Sequence, residues 1–412
     1  MSRVLLVCPE PLGHRHPAGV GIRFVEIARA LRDEGHQLIV LSPDSGAVDG
    51  CETAGVDPMS LRNSSQRSDV ALIQGHIGND YFAHAADIPT AVDLYDPYVI
   101  ENLHYFKTHG PGVFDHDRRT LLLSIERGDF FLCASDAQRH FYLGMLLACG
   151  KLTPQLFSED ATLDNLISIV PFGVQPLVSA DPTVKFSHRL IFGGIYDWYE
   201  PRLAIDAIAL ARRTLDDLTL TFTHHPNPGT TPQGKTAEAV AYVAAKGYDG
   251  FVNFEPWTPY EDRKAFFDRF GAALITFPPS LETDLAMRTR IFDFLWAGLP
   301  VISSPAPGTD PILKQHDAGR TASNNSPEGL AQIIEEVFTL PGLQQQLSDN
   351  ARRWAGTHQW PVLLEPLLRF CRHPRKARQV QKTALYEQSL VRPSLRSQIR
   401  KRLARMTRRM SS

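Results

Sequence analysis

The 412-residue sequence has few cysteines, no long apolar run and almost no net charge. Its five cysteines are odd in number, scattered and without a Cys-x-x-Cys pair, which argues against a disulfide framework or a zinc site and fits a reducing cytosol. No run of about 18 apolar residues occurs, so we expect no membrane-spanning helix, and the apolar start of the chain is too short for a signal peptide. Ordinary proportions of hydrophobic (43%) and charged (21%) residues exclude wholesale disorder and fibrous repeats.

Near-neutrality conceals a division of charge between the body of the chain and its C-terminal end. Lys and Arg number 43 against 45 Asp and Glu, a formal net charge of −2. From Arg372 to Ser412 there are 13 Lys or Arg and one acidic residue, Glu387, so the excess of acidic groups lies in the preceding residues. An acidic body with a basic tail predicts an anionic partner for the tail.

The last part of this tail follows a helical pattern. Leu395, Ile399, Leu403, Met406 and Met410 fall within an arc of about 80° on a helix, and the basic residues lie outside it. Such a pattern is typical of a helix on anionic lipid, so 395–410 predicts peripheral attachment to the inner face of the cytoplasmic membrane. A solvated tail or a helix docked on a partner protein is the alternative, and nucleic acid is not expected.

Short apolar strands alternate with helices through two halves of the chain. In the first half, strands are predicted at Val4–Cys8, Gln37–Leu41, Val70–Ile73, Ala91–Leu94, Phe130–Cys133 and Ile167–Val170. In the second half, they are predicted at Leu190–Phe192, Leu218–Phe222, Val252–Phe254, Ala273–Phe277 and Pro300–Ser303. This rhythm predicts an α/β protein with two doubly wound parallel sheets that face a cleft.

We divide the chain on this basis into five parts. The expected parts are an N-terminal domain at 1–174, a linker at 175–188, a C-terminal domain at 189–353, a further helix at 354–371, and the basic helical tail at 372–412.

The loop after the first predicted strand contains Gly19 and Gly21 and leads into a helix that we expect to stop at Gly35. Glycines let the backbone approach a ligand, and a helix N-terminus offers free N–H groups to an anion, so the loop is a candidate phosphate site. The same order of elements also fits a strand-to-helix turn that has a packing role alone.

A carboxylate and a histidine follow two other predicted strands. Asp96 lies just after the strand at 91–94, and His76 lies after the strand at 70–73. Ligand crevices in parallel α/β sheets open at the carboxyl ends of strands, so Asp96 and His76 are candidates to orient a reacting hydroxyl, and Asp96 also to stabilise developing positive charge. Alternatively, Asp96 starts a turn with Pro97, and His76 has a structural partner.

The segment 278–302 is the most informative. A predicted strand ends in a polar loop, a helix begins among basic residues, and a turn with Gly298 and Pro300 leads into another strand. Arg288 and Arg290 near the helix N-terminus are candidates to bind a diphosphate. Asp293 lies one helical turn beyond Arg290 and is a candidate to accept hydrogen bonds from ligand hydroxyls. Each residue alone also fits a surface helix with an ordinary Arg–Asp pair.

The order of these motifs resembles the GT-B glycosyltransferases and, within them, the large retaining family 4. The resemblance covers most of residues 1–360 and is carried by Gly19-Val20-Gly21, Val170-Pro171-Phe172-Gly173-Val174, Phe192-Gly193-Gly194 and Ala297-Gly298-Leu299-Pro300-Val301-Ile302. It implies two Rossmann-like domains and the transfer of a sugar from a nucleotide-diphosphate sugar. On this resemblance, 1–174 is the acceptor-side domain, 189–353 is the nucleotide-sugar domain, and the helix at 354–371 returns to the first domain. It also implies that Gly194 lies at the donor site and that neither a metal nor another cofactor is required.

The sequence departs from the family in its acidic pair. In the family, two glutamates separated by seven residues precede the last of these motifs. Asp293 falls on the second position, and the resemblance implies that it binds the nucleotide ribose. Leu285 falls on the first position and cannot serve, so Glu282, three residues earlier, is a candidate to replace it.

A second departure concerns the donor phosphates. The family's basic residues on and just after the first strand of the second domain are missing from 193–200, so we expect Arg288 and Arg290 to supply the positive charge. Trp257 lies where the resemblance places the base-binding segment, and its ring either stacks on the nucleobase or belongs to the core.

The function expected from the sequence is transfer of a sugar to a lipid-linked or cell-envelope glycan, with retention. Two alternatives stay open: a nucleotide-sugar epimerase of the same fold, and a catalytically silent subunit that binds a partner or a membrane, which the leucine at 285 motivates.

Overall fold

A computed structural model describes residues 1–13, 19–176, 187–224, 234–259 and 262–377, without the side chains of 104–109. Within these ranges no helix is long and apolar enough to cross a membrane. The predicted lipid-contacting helix at 395–410 lies outside them.

The first half of the chain folds around a parallel sheet. Within the described ranges this sheet has seven strands in the order β3-β2-β1-β4-β5-β6-β7. The strands are β1 (Arg3–Val7), β2 (Gln37–Ser42), β3 (Glu52–Gly55), β4 (Val70–Gln74), β5 (Thr90–Asp93), β6 (Phe130–Cys133) and β7 (Ile167–Ile169). The helices are α1 (Gly19–Asp33), α2 (Pro58–Gln66), α3 (Gly78–His84), α4 (Tyr98–His109), α5 (Pro111–Arg127), α6 (Asp136–Ala148) and α7 (Pro154–Glu159), and a 3₁₀ turn spans Gly75–Ile77.

The second half repeats the plan. Its sheet has six parallel strands in the described ranges, in the order β10-β9-β8-β11-β12-β13. The strands are β8 (Arg189–Gly194), β9 (Thr219–Thr223), β10 (Val252–Glu255), β11 (Ala272–Ile275), β12 (Val301–Ser303) and β13 (Gly319–Thr321). The helices are α8 (Pro201–Ala211), α9 (Gly234–Lys246), α10 (Arg263–Phe267), α11 (Leu281–Leu285), α12 (Thr289–Trp296), α13 (Asp310–Gln315), α14 (Pro327–Thr339) and α15 (Leu343–Thr357).

Helices on both faces explain why the central strands are continuous apolar runs. Val4, Leu5, Leu6 and Val7 of β1 are all fully buried, as expected for a strand in the middle of a doubly wound sheet. The predicted fold class is therefore confirmed. The edge strands β3 and β13 were not predicted, because they are short and largely polar and thus lack the apolar run that reveals a strand.

The chain returns to the first domain at its C-terminal side through α16 (Trp360–Leu363) and α17 (Glu365–Arg372). The rings of Phe370 and Phe130 stack with centroids 5.0 Å apart, and the Ser2 hydroxyl donates to the Cys371 carbonyl oxygen over 2.7 Å. Arg372 at the end of α17 pairs with Glu34. These contacts attach the end of the described chain to the N-terminal domain.

In each sheet the strand order reverses beside its first strand, between β1 and β4 and between β8 and β11. Ligand crevices open at such reversal points, outside the carboxyl ends of the strands. This rule points to the loops that follow β1 and β4 in the first domain and those that follow β8 and β11 in the second.

Candidate active site

A cavity of about 370 Å³ lies between the two domains. This volume is within the range of small-molecule sites, about 300–1,000 Å³. The N-terminal domain contributes charged and aromatic side chains from Glu10, Tyr95, Asp96, Glu101 and Phe172. The C-terminal domain contributes the three arginines Arg263, Arg288 and Arg290, together with Asp293, Tyr196, Trp198, Tyr199 and Trp257.

The start of α1 lies at the cavity wall. A Cβ atom at Gly19 would lie 3.3 Å from the Tyr95 hydroxyl oxygen, so the first turn of the helix is closely packed there. The Gly21 N–H, which we expected to face a donor phosphate, instead donates to the Glu10 carboxylate over 2.9 Å. Burial raises the pKa of Glu10 to about 7, the hydrogen bond from Gly21 opposes the rise, and the charge of Asp96 adds to it. Glu10 was not identified from the sequence.

A buried ion pair fixes α1 to the sheet. Arg23 of α1 and Asp93 of β5, both with fully buried side chains, form two hydrogen bonds of 2.6 and 3.1 Å. The Arg23 guanidinium also donates to the carbonyl oxygens of Val170 and Pro171, each over 2.9 Å, and its Cζ atom lies 4.7 Å from the centre of the Tyr95 ring. Four of the five N–H groups of Arg23 are thereby used within the N-terminal domain.

Asp96 lies in the cavity wall, where the position after β5 predicted it. Its carboxyl group lies within hydrogen-bonding reach of that of Glu101 on α4. Burial raises the pKa of both groups, and the neighbouring charge of Glu282 raises them further, whereas Arg288 acts in the opposite direction. Glu101 also lines the cavity, but its position within a helix carried no signal in the sequence.

His76 lies apart from these residues. It is exposed, on the short turn at 75–77, and its ring packs edge-on against Tyr98 with centroids 4.9 Å apart. His76 is not among the described residues that line the cavity. The strand-end position alone did not bring this histidine to the site.

Arg288 and Glu282 form a second buried ion pair, through both terminal nitrogens of the arginine. The side chain of Arg288 is 5% exposed and that of Glu282 is 1% exposed. Within the described part of the chain, the Arg288 Nε atom has no hydrogen-bond partner. Arg288 lines the cavity, but Glu282 lies behind it and does not, so the expected substitution of Glu282 for the family's first glutamate does not fit this arrangement.

Position 285 itself joins the two domains. The Leu285 side chain is buried. Its carbonyl oxygen accepts a 3.1 Å hydrogen bond from the side-chain amide of Gln138 on α6, and the same amide donates to the Tyr95 carbonyl oxygen over 2.8 Å. The segment that leads from α11 to Arg288 is thereby anchored to the N-terminal domain.

Arg290 is held by the backbone of β8. One terminal nitrogen donates to the carbonyl oxygens of Phe192, over 3.2 Å, and Gly194. The guanidinium lies over the rings of Tyr199 and Tyr196, at 5.0 and 5.5 Å from their centres. The arginine thus presents a fixed positive charge to the cavity.

Asp293 is also fixed, by a 2.9 Å ion pair with Arg263. Burial raises the pKa of Asp293, and the charges of Arg263 and then Arg290 oppose that rise. The Arg263 Cζ atom in turn lies 4.5 Å from the centre of the Trp296 ring. Arg263 lies at the start of α10, and the sequence contained no signal that its guanidinium reaches Asp293.

The loop after β8 is aromatic where the family is basic. Gly193 adopts a φ of +85°, a conformation that favours glycine. The rings of Tyr196 and Trp198 are stacked, with an interplanar angle of 2° and centroids 4.8 Å apart. A Cβ atom at Gly194 would lie 3.7 Å from the Trp257 ring, so Gly194 and Trp257 are neighbours at the cavity, and Trp257 is 36% exposed and not part of the core.

Within the described ranges, no group of three or more His, Cys, Asp or Glu side chains is arranged to hold a metal ion.

This chain has the GT-B glycosyltransferase fold, which it shares with several solved structures. HepE from Anabaena, in complex with UDP and glucose, superimposes with a TM-score of 0.64 at 14% identity, over 90% of this chain and 100% of that one. WaaG, a glycosyltransferase involved in lipopolysaccharide biosynthesis, gives a TM-score of 0.61 at 16% identity, over 89% and 99% of the two chains. Sucrose-phosphate synthase from Thermosynechococcus elongatus gives 0.64 at 11% identity, over 90% and 98%. The sequence matches no protein-family model and no curated protein.

Proposed function

We propose that this protein is a glycosyltransferase that moves a sugar from a nucleotide-diphosphate sugar to a glycan or lipid-linked acceptor of the cell envelope, with retention. The observation that carries the proposal is the interdomain cavity, because it combines a fixed cation, Arg290, and a fixed carboxylate, Asp293, on the first turns of one helix. This cavity lies in a fold for which HepE supplies a complex with UDP-glucose.

The C-terminal wall suits the nucleotide. The N-terminus of α12 and the Arg290 guanidinium would stabilise the charge of the diphosphate, both in the donor and as it leaves. Asp293, held in place by Arg263, would accept hydrogen bonds from the ribose hydroxyls. The partly exposed Trp257 ring would stack on the base. Arg288 contributes positive charge at the cavity wall, although its terminal nitrogens are bound to Glu282.

The N-terminal wall suits the reacting sugars. Asp96 would orient a hydroxyl or stabilise the positive charge that develops at the sugar as the bond to phosphate breaks. We assign this role to Asp96 and not to His76, because only Asp96 lines the cavity. Glu10 is a further acidic group on the same wall, fixed by its bond to Gly21.

A ligand screen tests the proposal. Thermal-shift measurements with UDP, GDP and dTDP should identify the preferred base through a rise in Tm, since a ligand that binds only the folded state stabilises it. A panel of sugars on that nucleotide should then show transfer or slow hydrolysis. The absence of a shift with every nucleotide would contradict the proposal.

Replacing Asp293 by alanine is expected to weaken nucleotide binding at least about tenfold, the equivalent of about 1.4 kcal/mol for one lost charged hydrogen bond. Titration calorimetry with the preferred nucleotide measures it. Asp249→Ala, at an exposed carboxylate outside the cavity, is the matched control and should bind as the wild type does. Equal affinity for all three proteins would remove Asp293 from the donor site.

The basic tail is proposed to bind an anionic membrane surface through 395–410. The full chain should sediment with vesicles that contain phosphatidylglycerol, whereas a chain that ends at Cys371 should stay in the supernatant. Neither chain should sediment with neutral vesicles. The bound fraction should fall with added salt, because the attraction is electrostatic. Equal retention of both chains would place the membrane contact elsewhere or exclude it.

A catalytically silent GT-B subunit is a second candidate. It is favoured by the leucine at 285 and by the burial of Glu282 behind Arg288, which together leave the family's sugar-contacting position without a carboxylate. Nucleotide binding without hydrolysis or transfer of any sugar in the panel would support this candidate, whereas an isomerised nucleotide sugar would indicate an epimerase.

A further inference from the structure

The carboxyl groups of Asp96 and Glu101 lie in the same cavity wall, within hydrogen-bonding reach of each other. Asp96 follows β5 and Glu101 lies on the first turn of α4, so the turn between them brings both side chains to one place. A hydrogen bond between two carboxyl groups needs a proton on one of them. While this bond exists, the pair therefore carries at most one negative charge.

The charged and titratable groups around the pair offer little compensation for a second negative charge. They come from four elements and three loops, and the described ones are Glu10, Asp93, Tyr95, Tyr98, Tyr142, Glu282 and Arg288. Most of them are acidic or neutral. The cation Arg288 is bound to Glu282 through both terminal nitrogens, and Arg23 nearby is bound to Asp93.

We propose that Asp96 and Glu101 share one proton at neutral pH, and that Glu101 is a positioning residue that holds the Asp96 carboxylate at the cavity wall. Glu101 keeps the proton and donates its O–H in a hydrogen bond to the Asp96 carboxylate. The other lone pairs of Asp96 stay available to a sugar hydroxyl. The role toward a sugar rests on the proposed function, but the shared proton does not.

The charge of the pair should also affect the binding of the donor. A doubly ionised pair would face an anionic nucleotide-diphosphate across a cavity of only about 370 Å³, and the repulsion would oppose binding. Burial and the neighbouring carboxylates raise the pKa of both groups, which is consistent with retention of the proton. Loss of the proton at alkaline pH should therefore weaken donor binding.

Stability against pH tests the proton without any activity. A carboxyl group whose pKa is higher in the folded than in the unfolded state stabilises the fold fully below the unfolded pKa, and this contribution is lost as pH rises toward the folded pKa. Glutamine at position 101 keeps a hydrogen-bond donor and does not titrate. We expect Glu101→Gln to match the wild-type Tm near pH 4.5 and to exceed it by at least about 2 °C at pH 8.

Glu126→Gln, at an exposed glutamate of the same domain, is the matched control, and its difference from the wild type should not change with pH. A Tm difference for Glu101→Gln that is the same at every pH, or that matches the control, would overturn the shared proton.

Turnover tests the positioning role. At pH 7, Glu101→Gln should retain a kcat within about threefold of the wild type, and it should lose the alkaline fall in donor affinity. Glu101→Ala should lose at least about tenfold in kcat with little change in nucleotide Kd, since it leaves Asp96 without its donor. Equal kcat losses in both variants, with the wild-type pH profile retained in Glu101→Gln, would overturn this role.

The two proposals fail separately. A pH-dependent Tm difference in a protein that turns over no nucleotide sugar would retain the shared proton and reject the proposed function. Turnover of a nucleotide sugar by the wild type, without a pH-dependent Tm difference in Glu101→Gln, would support the proposed function and reject the shared proton.

Discussion

Replacing Arg288 by alanine is expected to destabilise the protein by about 3–5 kcal/mol, because it leaves the Glu282 carboxylate buried without its partner. Glu282 is 1% exposed, so water cannot take over the lost interaction. Denaturant unfolding measures the change. Arg62→Ala, at an exposed arginine, is the matched control and should shift stability by no more than about 0.5 kcal/mol.

The paired variant Glu282→Leu with Arg288→Met separates structure from binding. An apolar pair of similar volume should recover most of the stability, since a buried ion pair is often no more stable than well-packed apolar residues. It should not recover donor affinity if Arg288 also contributes charge to the cavity. A loss in Arg288→Ala no larger than in Arg62→Ala would show that the pair is not isolated from water.

Replacing Asp96 by asparagine is expected to lower kcat at least about 100-fold and to leave nucleotide affinity within about threefold, if the protein transfers sugar as proposed. Asparagine has nearly the same size but cannot supply the negative charge that an oxocarbenium-like sugar requires. Steady-state kinetics with the preferred donor, together with calorimetry on the free nucleotide, measures the two effects.

The control for this variant is Asp80→Asn, at an exposed carboxylate of the N-terminal domain that does not line the cavity. It should retain both kcat and nucleotide affinity. A parallel loss of nucleotide affinity and kcat in Asp96→Asn would instead place Asp96 in donor binding, and unchanged kcat would remove it from the reaction.

The positions of Asp96 and Asp293 at the cavity could be predicted because each is tied to a regular element. Asp96 follows a strand whose carboxyl end opens at the crevice, and Asp293 lies a fixed number of residues before the turn at Gly298. In a regular helix or strand, the position of a residue in the sequence determines the direction in which its side chain points. The same rule applied to His76 was wrong about the cavity, because the short turn at 75–77 places it against Tyr98 instead.

The residues that the sequence did not reveal are those whose importance depends on a distant partner. Glu10 lies in an irregular loop and is recognisable only through its bond to Gly21. Arg263 lies on a short helix of ordinary appearance and is recognisable only through its ion pair with Asp293. The prediction that Arg288 binds the donor diphosphate likewise did not include its bond to Glu282.

The sequence by itself determined the alternation of strands and helices and the two-domain fold class, because apolar periodicity and glycine-containing turns are local properties. Only the tertiary structure decided which charges neutralise each other, in pairs 6 residues apart at Glu282 and Arg288 and 70 apart at Arg23 and Asp93. Electrostatic interaction depends on distance and on exclusion from water, and both are set only when folding brings the two partners together and buries them.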